Sequence, residues 1–457
     1  MAEDPAGSLP QQSCGWGELI GAYRLLNNPR VDPSDIQRAH WQWTHERCRN
    51  HPLVLCVQDT SDMDFTGHAA TKGLGPIGRQ KGRGFLQHSA LAVLPDGRLL
   101  GVLHQRWQVR VPAPADETRK QKRLRWRESL FWAEGVEAVG PPPPATRFVT
   151  VADRAGDDFA TFDACDRMGH GFVIRAQHDR SVENHSGYLW EHMANKPVLC
   201  RIKARVPARP ACKDKDGKKH KARPAREALV EVRVATVLLD APYRDPQFES
   251  PRQVNVVYAR EVDSPSDADP LDWMLLTSEP VVERREALAV VEYYRCRWVI
   301  EEYHKVQKTG CRLEDSQLQE VDALRRLAAA IGVTSVRILW LRDLAAAAPG
   351  PMIAAERPDD GERTGGPKAH EAEDPAALRA VVPSPWVRVV AKLAGVSDPS
   401  LLTPHQFWRC IAQRGGWLGR KHDGPPGWQT VWRGWNKVAA IVEGSLLLID
   451  PAEPGCV

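Results

Sequence analysis

Three acids far apart in the chain, Asp59, Asp153 and Glu301, carry side chains of the kind that hold a hard divalent cation. Carboxylate oxygens suit Mg2+ or Mn2+ rather than zinc. Two such ions about 4 Å apart activate an oxygen nucleophile and stabilise the leaving oxygen in an in-line phosphoryl displacement. The third acid does not stand alone. Ala287–Leu313 (ALAVVEYYRCRWVIEEYHKVQKTGCRL) reads as one helix by its length and by apolar residues at Val290, Tyr293 or Tyr294, Val299 or Ile300, and Tyr303. Gly310 stands where a helix ends, with Lys305 and Lys308 in the last turns. At about 100° per residue, Tyr294, Arg297, Glu301 and Lys308 share a stripe roughly 60° wide. One acid is thus flanked by two bases and a phenol. Arg297 offers a phosphate a fork and Lys308 a point charge. The plain alternative is a solvated helix face whose i,i+4 pair Arg297/Glu301 contributes about 0.3–0.5 kcal/mol. For Asp59 and Asp153 it is a strand-ending acid that caps a turn.

The acids need elements that bring them together. Leu53–Val57 is a continuous apolar run, the pattern of a strand buried on both faces, and it ends in Gln58-Asp59-Thr60. A Gly-rich connection (Gly73 to Gly84) lacks the spacing of a phosphate-binding loop. Ser89–Leu94 and Leu99–Trp107 read as strands joined by the turn Pro95-Asp96-Gly97-Arg98. A helix over Glu128–Val139 follows, then a strand Phe148–Ala152 ending in Asp153, a helix Asp157–Met168 and a strand Phe172–Ala176. This order fits an α/β fold with a ribonuclease-H-like mixed sheet. Acids at the ends of neighbouring central strands converge there, and a helix laid across the sheet supplies the third.

The same reading divides the chain into six regions. Residues 1–50 form an N-terminal helical remnant, with 1–20 unstructured and a helix opening at the N-cap Asp32 and Pro33. Residues 51–180 are the first part of the core, 181–281 a β-rich insertion, and 282–347 the helical second part. Residues 348–382 are a Pro/Gly-rich linker, and 383–457 a Trp-rich helical segment suited to self-association.

The chain is 42% hydrophobic and 26% charged, ordinary for a globular protein of 457 residues. No run of eighteen apolar residues appears, so no membrane span is expected. The acidic N-terminus has no apolar segment and is not a secretory signal. Ten dispersed cysteines without a CxxC pair fit free thiols in a reducing cytoplasm. Net charge is only +4, but it is unevenly placed. Lys203–Glu227 holds ten Lys/Arg against three Asp/Glu, and Arg119–Arg127 is a second basic run. Beside a phosphate-chemistry site such runs point to nucleic acid. Among sixteen tryptophans, Trp107, Trp126, Trp298 and Trp432 lie in basic surroundings, as core residues or as stacking platforms.

The spacing Tyr294-x2-Arg297-x3-Glu301-x6-Lys308 resembles the YREK signature of bacterial insertion-sequence transposases of the DDE superfamily, in the cut-and-paste group that excises through a DNA hairpin. Other stretches are similar too: VQDT at Asp59, VADR at Asp153, RPAR at 223–226, DWMLLTSEPV (272–281), GGWLGRK and WQTVWRGW. The resemblance implies a metal-binding triad Asp59, Asp153 and Glu301 with two Mg2+ (or Mn2+) ions. Tyr294, Arg297 and Lys308 match residues that grip phosphates of the transferred end. Trp273 matches the aromatic that stacks on a flipped-out base, its plain alternative being a core residue. Arg175, His304 and Lys305 match further DNA contacts. The implied partners are double-stranded DNA, as transposon ends and target, and a second copy of the chain. The implied setting is the bacterial cytoplasm, at the nucleoid, with no membrane. Only some twenty residues precede the matching part, shorter than the end-reading domain of such enzymes. That leaves an alternative, a shortened protein that inhibits a full-length transposase by hetero-dimerisation. An unrelated metal-dependent nuclease, cutting any DNA, is the third reading.

Overall fold

A computed structural model describes residues 5–78, 82–114, 116–118, 121, 125–183, 186–206, 211–213, 219–220, 225–242, 248, 250–264, 270–345, 374–380, 382–420, 426 and 428–447. Much of both basic runs, and most of the expected linker, lie outside these residues. The chain opens with helices α1 (Trp16–Leu26) and α2 (Pro33–Cys48). The first corrects the expectation that residues 1–20 are unstructured. Trp16, Leu19, Ile20, Tyr23 and Leu26 recur at helical spacing, which was the available signal, although only Leu26 is buried. The second begins as expected: the Asp32 carboxylate accepts from Ser34 N at 2.9 Å, and Pro33 takes the first helical position, where its missing N–H costs nothing.

The strands are β1 (Leu53–Asp64), β2 (Gly75–Ile77), β3 (Gly82–Val93), β4 (Leu99–Gln108), β5 (Arg147–Ala152) and β6 (Gly171–Arg175), with α3 (Leu130–Val139) before β5 and α4 (Phe159–Met168) after it. Strands β4, β3 and β1 pair antiparallel in turn. Strands β1, β5 and β6 pair parallel. The order β4-β3-β1-β5-β6 is the ribonuclease-H-like mixed sheet expected from the sequence. Gly97, at φ 89°, makes the tight turn from β3 into β4 that a side chain would strain.

Apart from one separate two-stranded pair, the insertion does not form a sheet of its own. It supplies short strands β7 (Ser181–Val182) and β8 (Gly187–Tyr188), helix α5 (Leu189–Ala194), β9 (Cys200–Val206), the small pair β10 (Cys212–Lys213) and β11 (Lys219–His220), and long strands β12 (Arg226–Leu239), β13 (Arg252–Val262) and β14 (Asp272–Thr277). Strand β14 pairs antiparallel with β6, so core and insertion make one twelve-stranded sheet.

Period-2 alternation divides this sheet between two cores. Leu55, Val57, Val149 and Val151 face a cluster shared with the later helices, whereas Ala152 and Ile174 face one built on α3 and α4. The expected single helix over Ala287–Leu313 is instead three pieces: α6 (Arg284–Arg295), α7 (Trp298–Lys305) and a wide π-type turn Val306–Gly310. At the first break the bonds tighten to i→i−3, with Val299 N on Cys296 O and Ile300 N on Arg297 O. At the second they widen to i→i−5, Cys311 N reaching Val306 O at 2.8 Å. Helix α8 (Val321–Ala345) packs behind them; its last side chains are not described.

Within the expected linker, Pro375–Arg379 is a short helix α9. The C-terminal segment is helical as expected: α10 (Ser384–Ala394), α11 (Pro404–Arg414) and α12 (Trp428–Leu447). Trp432 of α12 is buried against Gly310, where a built Cβ would overlap the indole ring. Trp107 is also core. Among the described residues no helix is long and apolar enough to cross a membrane.

Gly310→Ala drives a carbon into a rigid ring and is expected to destabilise the protein by about 1–3 kcal/mol. Gly444→Ala, on α12 with nothing within 4 Å of the new Cβ, is expected to stabilise it by roughly 0.5–1 kcal/mol. Urea unfolding of the two variants checks both signs, and equal effects would refute the packing at Gly310.

Candidate active site

Strand β5 stops at Ala152, whose parallel partner on β1 is Gln58. Asp153 and Asp59 are each the next residue. Register alone therefore sets them side by side on strands about 4.8 Å apart. Asp59 lies two residues beyond Val57, and Asp153 two beyond Val151, so both belong to the face covered by α6 and α7. Asp59 is not at a strand end, as the sequence suggested. Strand β1 continues to Asp64 because β3 goes on pairing with it, from Asp59↔Ser89 to Asp64↔Gly84. Beyond Gln58, β1 has lost its β5 partner, and the polar run Asp59–Asp62 borders that opening.

Helix α7 lies across this face with Ile300 and Tyr303 fully buried. That anchoring leaves Glu301 half-buried. Arg297 joins the two sides: its Nη2 donates to Glu301 Oε1 at 2.5 Å and its Nη1 approaches Asp59 Oδ2 at 3.5 Å. Asp153 starts the turn after β5, its Oδ1 accepting from Ala155 N at 3.0 Å. Asp59 accepts from Thr60 N at 2.7 Å. Burial, and then the negative charge of Asp153, push the Asp59 carboxyl up to about 7 against the opposing pull of Arg297 and Thr60 N. Among the described residues no three of His, Cys, Asp and Glu stand close enough together to hold one ion. In this structure the guanidinium of Arg297, not a carboxylate cage, joins Asp59 to Glu301.

The other residues singled out from the sequence are spread around that pair. Tyr294 is buried, its ring edge-on to Trp273 at 5.1 Å and 5.9 Å below the Arg297 guanidinium. Trp273 is partly buried on β14, which the insertion brings to the site. Lys308 sits in the wide turn, off the regular helical stripe. Its Nζ donates to Asp62 O and lies 3.5 Å from Glu314. Arg175 donates to Asp272 O at 2.6 Å, tying the end of β6 to β14. Lys305 is exposed. His304 is turned inward, 6% exposed, with Nε2 3.1 Å from Ser89 Oγ. Trp298 is 57% exposed, with the Arg297 guanidinium 5.5 Å from its ring.

Sequence reading missed Asp157. It is buried one short helical turn after Asp153 and accepts from Gln177 N, His178 N and Arg180 Nη1, at 2.7, 3.1 and 3.0 Å. Those bonds lock the loop after Asp153 to the loop after β6. Its place within the sequence DRAGDD was the available signal, because a second buried acid there needs partners.

Comparison with known families bears on two parts of the chain. Residues 136–335 match the transposase DDE domain, and residues 398–453 match the Tn5 transposase dimerisation domain. The first match includes Asp153 and Glu301 and begins after Asp59; the second covers α11 and α12 in full. The ribonuclease-H-like sheet and these two matches together support a DDE-family transposase.

Proposed function

We propose that this DNA transposase cuts and rejoins the ends of an insertion sequence by two-metal phosphoryl transfer through a hairpin intermediate. The observation that carries the reading is the parallel register Gln58↔Ala152, which sets Asp59 beside Asp153 beneath the helix of Glu301. Asp59, Asp153 and Glu301 offer hard oxygens in a place that already holds an excess of negative charge, and that donor set fits Mg2+ or Mn2+. Bound there, divalent ions would activate the attacking oxygen and stabilise the leaving one.

The chain's own residues do the rest. Arg297 lets go of Glu301 and turns its fork to a phosphate next to the scissile one, since a carboxylate that ligates a cation no longer needs the guanidinium. Lys308 adds a point charge, and the Tyr294 hydroxyl donates to a phosphate oxygen once its buried ring is exposed by DNA. Trp273, supported edge-on by Tyr294, stacks on the base displaced as the hairpin closes. Arg175 and Lys305 hold the flanking backbone. Residues 398–453 pair two copies, so that each end of the element meets a site. The enzyme acts in the cytoplasm, on DNA of the nucleoid.

Glu301→Ala is expected to bind an element-end duplex within about threefold of the parent while its Mg2+-dependent cleavage falls below detection. Cleavage at the parental rate would remove Glu301 from the chemistry. Trp273→Ala is expected to nick normally but to yield far less hairpin on a denaturing gel. Parental products without any hairpin would instead place the chain outside the hairpin-forming group.

The raised Asp59 carboxyl gives a pH signature. A carboxyl held near 7 in the folded protein and near 4 unfolded takes up protons on folding, so it favours the folded state below about pH 4. That contribution falls away as pH rises towards 7. In EDTA, Asp59→Asn should therefore raise the melting temperature at pH 8, by the equivalent of roughly 2–4 kcal/mol at most, and change it little at pH 4. Mn2+ should stabilise the parent at pH 8 and not the variant. A variant less stable than the parent at pH 8 would contradict this account.

A further inference from the structure

Below the helix of Glu301 lies a buried polar layer that the phosphoryl chemistry leaves unused. Two rows of side chains cross the sheet on the face of the acids. Pairing of β1 with β3 and of β3 with β4 lines up Asp59, Ser89 and Gln105 in one row, and Ser61, Gln87 and Trp107 in the next. Gln87, Ser89 and Gln105 are at most 1% exposed. Ser89 Oγ accepts from Gln105 Nε2 at 2.8 Å and lies 3.1 Å from His304 Nε2. Gln87 donates through Nε2 to Gln307 Oε1 at 2.7 Å and accepts from Trp107 Nε1 at 2.9 Å. His304 is one residue beyond Tyr303, one turn on from Glu301. Gln307 is fully buried in the wide turn that follows.

We propose that Ser89, Gln87, His304 and Gln307 are positioning residues that set where Glu301 stands relative to Asp59. Apolar packing alone lets a helix slide or roll over a sheet at small cost, because dispersion is non-directional. Two directed hydrogen bonds three residues apart on the helix, landing on sites two residues apart on one strand, admit a single register. Any shift strands buried polar groups without partners. The first row begins at Asp59 itself, so the acid on the sheet and the acid on the helix are referred to the same strand β3. The wide turn belongs to the same device. Gln307, near the start of that turn, supplies the second anchor to Gln87. The inference rests on the reading of Asp59 and Glu301 as members of one metal site.

The test measures Mn2+ binding to the full chain without DNA, by the electron paramagnetic resonance of free Mn2+. It adds single-turnover cleavage at saturating DNA, DNA affinity and melting temperature. His304→Leu and Gln307→Met are expected to weaken Mn2+ binding and slow cleavage about tenfold or more, the usual size of an outer-shell effect, with DNA affinity unchanged. His304→Gln, which can still reach Ser89, should recover most of both. Ser89→Ala, a smaller change, provides the same readout if His304→Leu fails to fold. Thr146→Val is the control. It breaks a buried bond from the residue before β5 to Cys48 O of α2, away from the polar layer and the helix of Glu301, and should lower the melting temperature while leaving Mn2+ affinity unchanged. The proposal is overturned if His304→Leu and Gln307→Met bind Mn2+ as the parent does. It is equally overturned if loss of Mn2+ affinity follows melting temperature across every variant, Thr146→Val included. Unchanged Mn2+ affinity in Glu301→Gln would sink the metal-site reading itself, a failure distinct from that of the positioning layer.

Discussion

Everything at the site follows from two carboxylates held next to each other where one strand has ended. Because β5 stops at Ala152 and β1 does not stop at Gln58, Asp153 and Asp59 are adjacent, like-charged and only partly wet. Burial first, and then the like charge of Asp153, disfavour ionisation there, which is why the Asp59 carboxyl stands near 7. The structure meets this repulsion with Arg297, whose guanidinium reaches Asp59 and Glu301 together. A cationic partner is therefore required whatever the occupant, and the surrounding elements are arranged around supplying it. Helix α7 brings Arg297 and Glu301 by burying Ile300 and Tyr303, and β14 props Tyr294 and Arg297 from the far side through Trp273.

The insertion is part of that arrangement. A separate β-rich domain could carry basic loops, but it could not bring Trp273 to within 5.1 Å of Tyr294 unless it were attached rigidly. Pairing of β14 with β6 gives the rigid attachment, since three consecutive residue pairs, Leu275↔Arg175 to Thr277↔Val173, fix both distance and direction. The Arg175 bond to Asp272 O closes the same edge.

Much of this was legible in the residues. The core strands declared themselves by unbroken apolar runs at Leu53–Val57 and Phe148–Ala152, and such runs arise only where both faces are covered. The acids at their ends needed no further signal. What the residues did not show were features that depend on a partner distant in sequence. Nothing in Asp59–Asp64 says strand, because its pairing is supplied by Gly84–Ser89. Nothing in Cys296–Arg297 or Val306–Gly310 says that the bond pattern changes, since neither Pro nor an internal Gly marks the first break. Projection at a constant angle therefore placed Lys308 on the stripe of Glu301, whereas the wide turn carries it to Asp62 and Glu314. The burial of His304 was hidden for a related reason: nothing in the helix's own sequence shows that Ser89 of β3 lies beneath it.

The position of the carboxylate helix is set from outside the sheet as well. Where the wide turn ends, Gly310 has no side chain and the Trp432 indole fills the space. Trp432 belongs to α12, within the stretch that matches the dimerisation domain. A flexible aliphatic residue in its place could yield to small movements of α12. An indole against bare backbone cannot, because close-packed interiors transmit displacement instead of absorbing it. The helix of Glu301 is thus held at one end by Arg297 over the acids, along its underside by β3, and at its far end by the segment through which two copies would meet. A single chain consequently ties the geometry of its acids to the part that matches a dimerisation domain, through a contact no longer than one ring.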